Sequence, residues 1–380
     1  MKPPRSFHLT TLTALLASLA LSGCSFIPTY ERPAAPVAAA FAPGLTSAGD
    51  GAGLAAADLE WQAFFTDARL KRLIALSLQN NRDLRVAVLA IEQTRAQLQV
   101  RRADELPTLN AGITGTRGPA SSGAITSTYS AGLSVTAYEL DFFGRVRALS
   151  QAAQAQLLGS EEARKTVQIS LIASVANTYL SLLANDELLR VAREALATRQ
   201  ESLRLTQLKF DNDAASKLDL SQAQSLLEGA KVALAQSTRQ RAQDENALVL
   251  LLGQPLPADL PDGLPLGSQT LLPDVPAGVP SELLTRRPDI RQAEQVLLAN
   301  NANIGAARAA FFPRITLTGS AGVVSNDLDT LFSNGTTAWT FVPQLLLPIF
   351  DYGRNQANLE SAKLARDIAV AQYEKAIQTG

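Results

Sequence analysis

Residues 145–210 read RVRALSQAAQAQLLGSEEARKTVQISLIASVANTYLSLLANDELLRVAREALATRQESLRLTQLKF, with Gly159 as their one glycine and no proline. The stretch is rich in Ala, Leu, Gln, Glu and Arg, which all favour helix. At 1.5 Å per residue the helix would extend ~100 Å, which no compact globular domain accommodates. Its apolar residues recur at a strict seven-residue step: Val175, Leu182, Leu189, Leu196, Leu203 and Phe210. The spacing predicts one very long helix, 145–210, with a coiled-coil seam.

A return helix is predicted beyond a polar break. Residues 211–216 read DNDAAS and interrupt the apolar pattern. Residues 217–252 resume it, with apolar positions spaced alternately three and four apart: Leu220, Ala223, Leu227, Ala230 and Leu234. We expect this helix and a helix over 82–104 to lie end to end along the long helix, because their summed length of ~90 Å approaches its own.

The chain contains an internal duplication. Residues 83–107 match residues 289–313 at a constant offset of 206, including the proline that ends each segment. An aromatic-Gly-Arg motif at 143–145 then recurs at 352–354. We place the first repeat at 58–279, closing with a Pro-rich linker at 253–279, and the second at 280–380. Each repeat is predicted to run helix, two strands and long helix, and the second stops within its long helix.

Two predicted hairpins, 106–142 and 312–350, alternate apolar and small polar residues. This pattern suits transmembrane barrel strands, with amphipathic hairpins of a soluble sheet as the alternative. The last strand is predicted from Trp339 to Ile349, and Pro343 and Pro348 depart from its pattern. In lipid, the open edges of four strands would leave backbone groups unpaired, at a cost of several kcal/mol each. Membrane strands would therefore require several copies of the chain to share one barrel.

The N-terminus predicts an export signal and an anchor. Lys2 and Arg5 precede an uncharged apolar run that ends in Leu-Ser-Gly-Cys24, typical of a secretory signal peptide at 1–23. The sequence around Cys24 resembles a bacterial lipobox, which implies a diacylglyceryl thioether and an N-palmitoyl group on this residue. An ordinary signal cleaved nearby is the alternative. Ser25 favours the outer membrane, and residues 24–57, rich in Ala, Pro and Gly, predict a lipidated extended leader on the protein surface.

Composition excludes several kinds of chemistry. The sole His and the sole Cys lie at positions 8 and 24, so residues 25–380 contain neither. Ser-His-Asp and Cys-His catalysis, zinc sites and a disulfide framework are thereby excluded from that segment. A net charge of −1, from 34 Lys and Arg against 35 Asp and Glu, argues against nucleic-acid binding. We expect no enzyme activity, no metal and no cofactor beyond the covalent lipid.

Five motifs together resemble the TolC-like outer-membrane factor family, in its NodT-type efflux lipoprotein branch. They are LSGC at 21–24, NALVLLLGQP at 246–255, PSELLTRRPDIRQAE at 280–294, FFPRI at 311–315 and FDYGR at 350–354. The resemblance runs from Cys24 to Gly380. It implies a mainly α fold with a small transmembrane β part: a TolC-like α-helical barrel, and four strands per chain in a shared 12-stranded outer-membrane β-barrel.

The resemblance also implies a function and partners. It implies a homotrimer in the bacterial outer membrane, in contact with its lipid, with a long periplasmic extension around one water-filled tunnel. It implies a passive export duct for drugs and other small toxic compounds within a tripartite pump. The implied partners are a periplasmic adaptor protein and an inner-membrane transporter of the resistance-nodulation-division type.

In this family the turn between the long helix and its return meets the adaptor. The matching stretch here implies Arg204, Ser216 and Asp219 as docking residues, although Ser216 and Asp219 also suit helix capping. The family usually has Gly where Asp213 stands, and Asp tolerates the left-handed conformation better than most residues. In the family, the residues that narrow the periplasmic entrance lie beyond the segment matched here, so no gate residue is assigned and we expect a C-terminally truncated chain.

Three other functions fit parts of the pattern. A channel of a type I protein or peptide secretion system would share the architecture. A periplasmic coiled-coil lipoprotein would have the helices without membrane strands. An enzyme could use a carboxylate pair such as Glu161 and Glu162 or Asp211 and Asp213, but these lie beside Lys and Arg on a polar helix face or turn.

Overall fold

The computed structural model describes residues 25–37, 60–269 and 286–380. The predicted signal peptide, Cys24 and much of the predicted leader and linker lie outside these residues. The helices are α1 (Trp61–Phe64), α2 (Ala68–Asn80), α3 (Arg82–Ala103), α4 (Arg145–Asp211), α5 (Lys217–Leu252), α6 (Pro288–Ala309) and α7 (Arg354–Thr379). The strands are β1 (Leu109–Pro119), β2 (Ile125–Glu139), β3 (Arg314–Ser325) and β4 (Thr336–Leu346).

The two longest helices follow the sequence pattern closely. Helix α4 has 67 residues and ends one residue beyond the predicted boundary, and α5 has the predicted bounds. On the seven-residue seam of α4, Val175, Leu182 and Leu189 are buried and the three later positions are half-buried. The five apolar positions quoted for α5 are half-buried as well. The apolar spacing therefore identified the packed face of each helix.

Two parts of the prediction were wrong in detail. The first repeat was predicted to open with a single helix, whereas the structure has α1 and α2 before α3. The last strand was predicted to reach Ile349, whereas β4 ends at Leu346. Pro343 lies inside β4 opposite Leu317, on an outer strand of the chain's sheet.

The chain divides into two compact units. A sheet unit comprises the described residues 25–37, 90–162 and 286–380, and a helical unit comprises 60–89 and 163–269. Helices α3 and α4 contribute residues to both. The sheet unit contains all four strands, in the order β1-β2-β3-β4 with every pair antiparallel.

The core of the helical unit brings together α2, the middle of α4 and the end of α5. Its most buried side chains include Leu70, Ile74, Val175, Tyr179 and Leu252. The end of α5 meets the junction between α2 and α3, where Asn81 donates a hydrogen bond of 2.9 Å to the carbonyl of Leu251. Gly253 ends α5 at φ 67°, and a Cβ there would lie 2.4 Å from the Asn80 carbonyl oxygen. Within this unit α5 and α3 therefore meet end to end, as expected.

Asp67 connects three segments of the helical unit. One carboxylate oxygen caps α2 by accepting hydrogen bonds from the amides of Arg69 and Leu70 at 2.7 and 3.2 Å. The other accepts from the Tyr179 hydroxyl, the Leu264 amide and the Gln269 side chain, at 3.0, 3.0 and 2.7 Å. Burial alone would raise the pKa of Asp67, but these donors lower it below its ordinary value because they stabilise the carboxylate.

Candidate functional site

The middle of the four-stranded sheet contains no charged side chain. The four strands hold three charged residues, namely Arg117, Glu139 and Arg314, and each lies within two positions of a strand end. Charged side chains are costly in the hydrocarbon region of a bilayer. This distribution therefore suits strands whose central parts lie in lipid.

One face of the sheet is apolar across all four strands. The register places Ala111, Leu133, Ala321 and Trp339 in one row and Leu109, Val135, Gly319 and Phe341 in the next. Trp339 is 74% exposed and Phe341 62% exposed. Large apolar side chains so exposed on a continuous face indicate a surface that meets lipid or another protein.

The opposite face is small and polar. Thr114 and Ser130 share a hydrogen bond of 2.6 Å, and Ser320 and Thr340 share one of 2.8 Å. Gly132 lies opposite Gly322 where the two central strands meet. A Cβ on Gly322 would lie 2.1 Å from the Ala131 carbonyl oxygen, so only glycine fits there. The alternating pattern predicted such a small polar face, and a face of this kind suits an aqueous lumen.

The two outer strands each leave one edge unpaired within the chain. The strand order makes β1 and β4 the ends of the sheet. Exposed N–H and C=O groups along such an edge cannot remain unpaired in lipid. A sheet of this kind in a membrane needs further strands from other copies of the chain.

An ionic cluster lies where the sheet joins the helices. Glu139, at the end of β2, receives two hydrogen bonds of 2.7 Å from Arg145, the first residue of α4. Arg314, at the start of β3, lies 2.6 Å from the same carboxylate. Bidentate Arg-carboxylate pairing fixes orientation as well as distance. The cluster therefore sets the direction in which α4 leaves the sheet.

The N-terminal segment 25–37 is extended and lies along α6. The ring of Phe26 stacks on Phe312 with centroids 4.5 Å apart, and Phe143 stacks on Phe312 at 5.0 Å. The side chain of Asn301 donates to the Pro28 carbonyl at 2.7 Å. Ile27 occupies the space that a side chain on Gly305 would fill. Residues 25–37 thus run as an extended segment over α6.

Farther along the leader, toward residue 32, a buried carboxylate on α6 binds its side chains. Glu294 receives two hydrogen bonds from Arg32, at 2.8 and 3.0 Å, and one of 3.0 Å from the Tyr30 hydroxyl. Burial, followed by the hydrogen bond to Glu294, raises the pKa of Tyr30. The order of contacts shows that the leader runs antiparallel to α6, with Ser25 at the end nearest β3. Cys24 is the residue before Ser25 and lies outside the described residues.

The turn between α4 and α5 contains two of the three predicted docking residues. Ser216 caps α5 by accepting from the Asp219 amide at 3.1 Å, and Asp219 accepts from the Ser216 amide at 2.9 Å. The Ser216 hydroxyl also donates to Asp219, which lowers the pKa of that carboxyl. Asp213, which stands where the family usually has Gly, adopts the left-handed conformation at φ 55°.

Arg204 lies about two turns before the end of α4 and is not joined to the capping pair. It pairs with Glu201 through hydrogen bonds of 2.9 and 2.8 Å, and both side chains are exposed. The structure thus brings Ser216 and Asp219 together as a cap and leaves Arg204 as an exposed ion pair on the same end of the helix.

The carboxylate pairs considered for catalysis contact neighbouring side chains in ways that indicate a structural role. Glu162 is buried and lies 2.9 Å from Arg291 of α6. Asp211 accepts from Gln207 at 2.8 Å on the exposed end of α4. Within residues 25–37, 60–269 and 286–380, no cluster of His, Cys, Asp and Glu could hold a metal ion.

One described helix, α4, has a stretch long and apolar enough to cross a membrane by length and composition. The same helix supplies Leu171, Val175, Tyr179 and Leu182 to the core of the helical unit. Packing within the helical unit thus accounts for part of its apolar surface.

The chain is similar to proteins of known role along almost its whole length. The family model described as outer membrane efflux protein matches residues 73–254 and 279–380. The chain is 49% identical over 376 residues to the antibiotic efflux pump outer membrane protein ArpC of Pseudomonas putida, and the match covers 97% of this chain and 78% of that protein. It is 48% identical over 376 residues to the toluene efflux pump outer membrane protein TtgC of a Pseudomonas putida strain, with the same coverage.

A solved structure has the same fold. The open state of the MtrE outer membrane channel from Neisseria gonorrhoeae superposes with a TM-score of 0.82 at 42% sequence identity. The match covers 94% of this chain and 79% of that one.

Proposed function

The chain belongs to the outer membrane efflux protein family, and from that premise we propose that it forms the exit duct through which a tripartite pump discharges small toxic compounds. It is an outer-membrane efflux channel subunit with a TolC-like fold. Its relatives are channel and transport proteins rather than enzymes. A duct needs no acid-base residue, because the compounds pass through it unchanged.

The observation that carries this function is the four-stranded sheet. Its apolar face, its small polar face and its two open edges are what one segment of a shared membrane barrel requires. The copies that complete the barrel would enclose an aqueous lumen lined by the polar face. A soluble coiled-coil lipoprotein would have no use for Trp339 and Phe341 exposed on a continuous apolar surface.

Antibiotics and solvents are the substrates that the relatives' names support. ArpC and TtgC are named for antibiotic and toluene efflux. A wide aqueous duct with a lining of small polar side chains offers no selective contacts, so the choice of compound belongs to the transporter. We propose as partners a periplasmic adaptor and an inner-membrane transporter of the resistance-nodulation-division type.

The turn between α4 and α5 is our proposed contact with the adaptor. Arg204 would offer a cation on an exposed helix end, and Ser216 and Asp219 would offer a rigid polar turn. The capping role does not conflict with docking, because a well-capped turn presents a fixed surface.

Cys24 is our proposed site of lipid attachment. The leader begins at the end of α6 nearest β3, where Phe26 stacks on Phe312. A lipid on the residue before Ser25 would therefore be held close to the membrane strands. Several acyl chains on one residue give a stable anchor, since each buried CH₂ contributes about 0.8 kcal/mol.

Deletion of the gene in its host tests the function. With the partner pump expressed, loss of the channel should raise sensitivity to small amphipathic toxins, and the reintroduced gene should restore tolerance. Unchanged tolerance with an expressed pump would rule out the efflux function. If instead a secreted protein or peptide disappeared from the medium, the channel would serve a type I secretion system.

A further inference from the structure

A cavity of about 560 Å³ opens where α2 is followed by α3, beside α4. Leu84 and Asn81, which are both buried, line it together with the exposed Val88. All of its lining residues belong to the helical unit, so one copy of the chain forms the cavity by itself. Sites for small molecules typically have volumes of about 300–1,000 Å³, so this cavity is large enough to hold one.

Three arginines line this cavity without a carboxylate beside them. Arg82 and Arg85 lie in the first turn of α3, and Arg164 lies on α4. Among the described residues that line the cavity there is no Asp or Glu. Like charges around one concave surface add to each other's potential, so the cavity attracts anions.

The guanidinium groups of these arginines keep donors for a ligand. Arg82 donates one hydrogen bond, of 3.3 Å, to the Asn80 carbonyl, and Arg164 donates one, of 3.0 Å, to the side chain of Gln168. A guanidinium has five N–H donors, so both groups keep most of theirs. The side chain of Arg85 makes no hydrogen bond or ion pair with any residue that the structure describes. The cavity is therefore lined by unused cationic donors.

The start of α3 is an unfavourable place for these charges unless an anion lies nearby. The first N–H groups of a helix already carry partial positive charge, and Arg82 and Arg85 add to it. Asp83 is the one acidic residue of this turn, and it does not line the cavity. Farther along the same helix, Arg95 pairs with Glu92 one turn away. A bound anion would supply this compensation to the first turn.

We propose that this cavity binds a small molecule that carries two or more oxyanion groups, either carboxylate or phosphate, beside a short apolar part. The planar fork of a guanidinium matches both groups, because each offers two oxygens to two parallel N–H donors. The apolar side chains of Leu78, Leu84 and Val88 line the same cavity and suit the rest of the molecule. The site goes beyond the export duct, since it lies in the helical unit and not on the sheet.

Isothermal titration of the purified full chain in a neutral detergent tests this proposal. The two probes are benzenetricarboxylate and inorganic pyrophosphate, each at low salt. We expect saturable binding of at least one probe, at one site per chain. Tighter binding of the tricarboxylate would support the proposal with carboxylates as the recognised groups, and tighter binding of pyrophosphate would support it with phosphates. Absence of saturable binding by both probes would overturn it.

Arginine variants locate the binding in this cavity. Arg85→Gln and Arg164→Gln should each weaken binding about tenfold, the loss expected for one charge-assisted hydrogen bond. Arg85→Lys should cause a smaller loss, because it keeps the charge but not the fork. The matched control is Arg102→Gln, which removes an exposed arginine of the same helix outside the cavity and should leave binding unchanged.

Two results from the variants would contradict the site. Equal weakening by Arg102→Gln would show that the probes respond to the overall charge of the chain. If circular dichroism showed that the Gln variants lose helix, the Lys variant would decide, and its unchanged affinity for both probes would contradict recognition by the Arg85 guanidinium. The titration uses purified protein, so its outcome is independent of the toxin-tolerance test of the efflux function.

Discussion

Arg32 of the leader and Glu294 of α6 form a two-hydrogen-bond ion pair, at 2.8 and 3.0 Å, although they are 262 positions apart in sequence. Glu294 is buried and Arg32 is about half exposed. The pair fixes the middle of a segment that has no regular secondary structure, and it does so on the helix that leads into β3.

Loss of this pair should release the leader. We expect Arg32→Ala to destabilise the leader contact by about 1–2 kcal/mol, at the lower end for charged hydrogen bonds because Arg32 is partly solvated. Hydrogen-deuterium exchange of residues 26–36 should then accelerate. The control is Arg95→Ala, which removes the exposed pair with Glu92 and should leave leader exchange unchanged. Leader exchange that is unaffected by Arg32→Ala would contradict this role.

Replacing Asp67 with Asn should weaken the helical unit. An amide cannot accept from all five donors that surround the carboxylate, so the expected loss is about 1–3 kcal/mol at neutral pH. Because the folded pKa lies below the ordinary 3.8, the contribution of Asp67 is complete above that value and is lost as the pH falls toward the folded pKa. The unfolding midpoint of the unchanged chain should therefore fall more steeply in acid than that of the variant. If the unfolding midpoints of the two proteins fell in parallel with pH, the acid dependence could not be assigned to Asp67.

Gly322→Ala should disrupt the sheet, whereas Gly112→Ala should not. A Cβ on Gly322 would lie 2.1 Å from a backbone oxygen, but a Cβ on Gly112 would meet nothing within 4 Å. Both glycines lie in the same row on the polar face. Heat-modifiable migration on gels reports barrel formation, and we expect it to be lost in the Gly322 variant alone. Equal migration of the two variants would show that the central strands separate easily enough to admit a Cβ at Gly322.

Arg204→Ala should reduce efflux without loss of stability if the α4–α5 turn contacts the adaptor. Its pair with Glu201 is exposed, so little folding free energy depends on it. Arg190→Ala is the matched control, since Arg190 forms similar exposed pairs with Glu187 and Glu194 far from the turn. Toxin tolerance and adaptor co-purification should fall only for Arg204. Ser216→Ala should also cost about 1 kcal/mol of stability through the lost cap.

Cys24→Ala should prevent acylation and weaken membrane retention. Labelling with radioactive palmitate measures the first effect and fractionation the second. The leader contacts of Phe26 and Arg32 do not involve Cys24, so the variant should still fold. Equal palmitate labelling of the variant would refute attachment at this residue.

The sequence predicted those features that depend on local periodicity. The seven-residue step from Val175 to Phe210 identified the packed face of α4, and alternation in the hairpins identified the two sheet faces. Features that join distant segments were not predictable in this way. Asp67 meets Tyr179 and Gln269, which are 112 and 202 positions away, and no local pattern marks such a residue.

The leader is a second case in which the sequence does not predict a contact between distant segments. Its Ala- and Pro-rich composition predicted an extended surface segment, but composition does not say which surface. That choice depends on Glu294, Asn301 and Gly305, three α6 residues of different types whose common role appears only when the leader lies across them.

The leader's position on α6 has a consequence for the order of folding. Residues 25–32 are synthesised before their binding surface, which lies more than 260 positions later in the chain. Contacts so distant in sequence form late, because a long loop must close before they contribute. The leader must therefore stay undocked at least until the first repeat and α6 have been made.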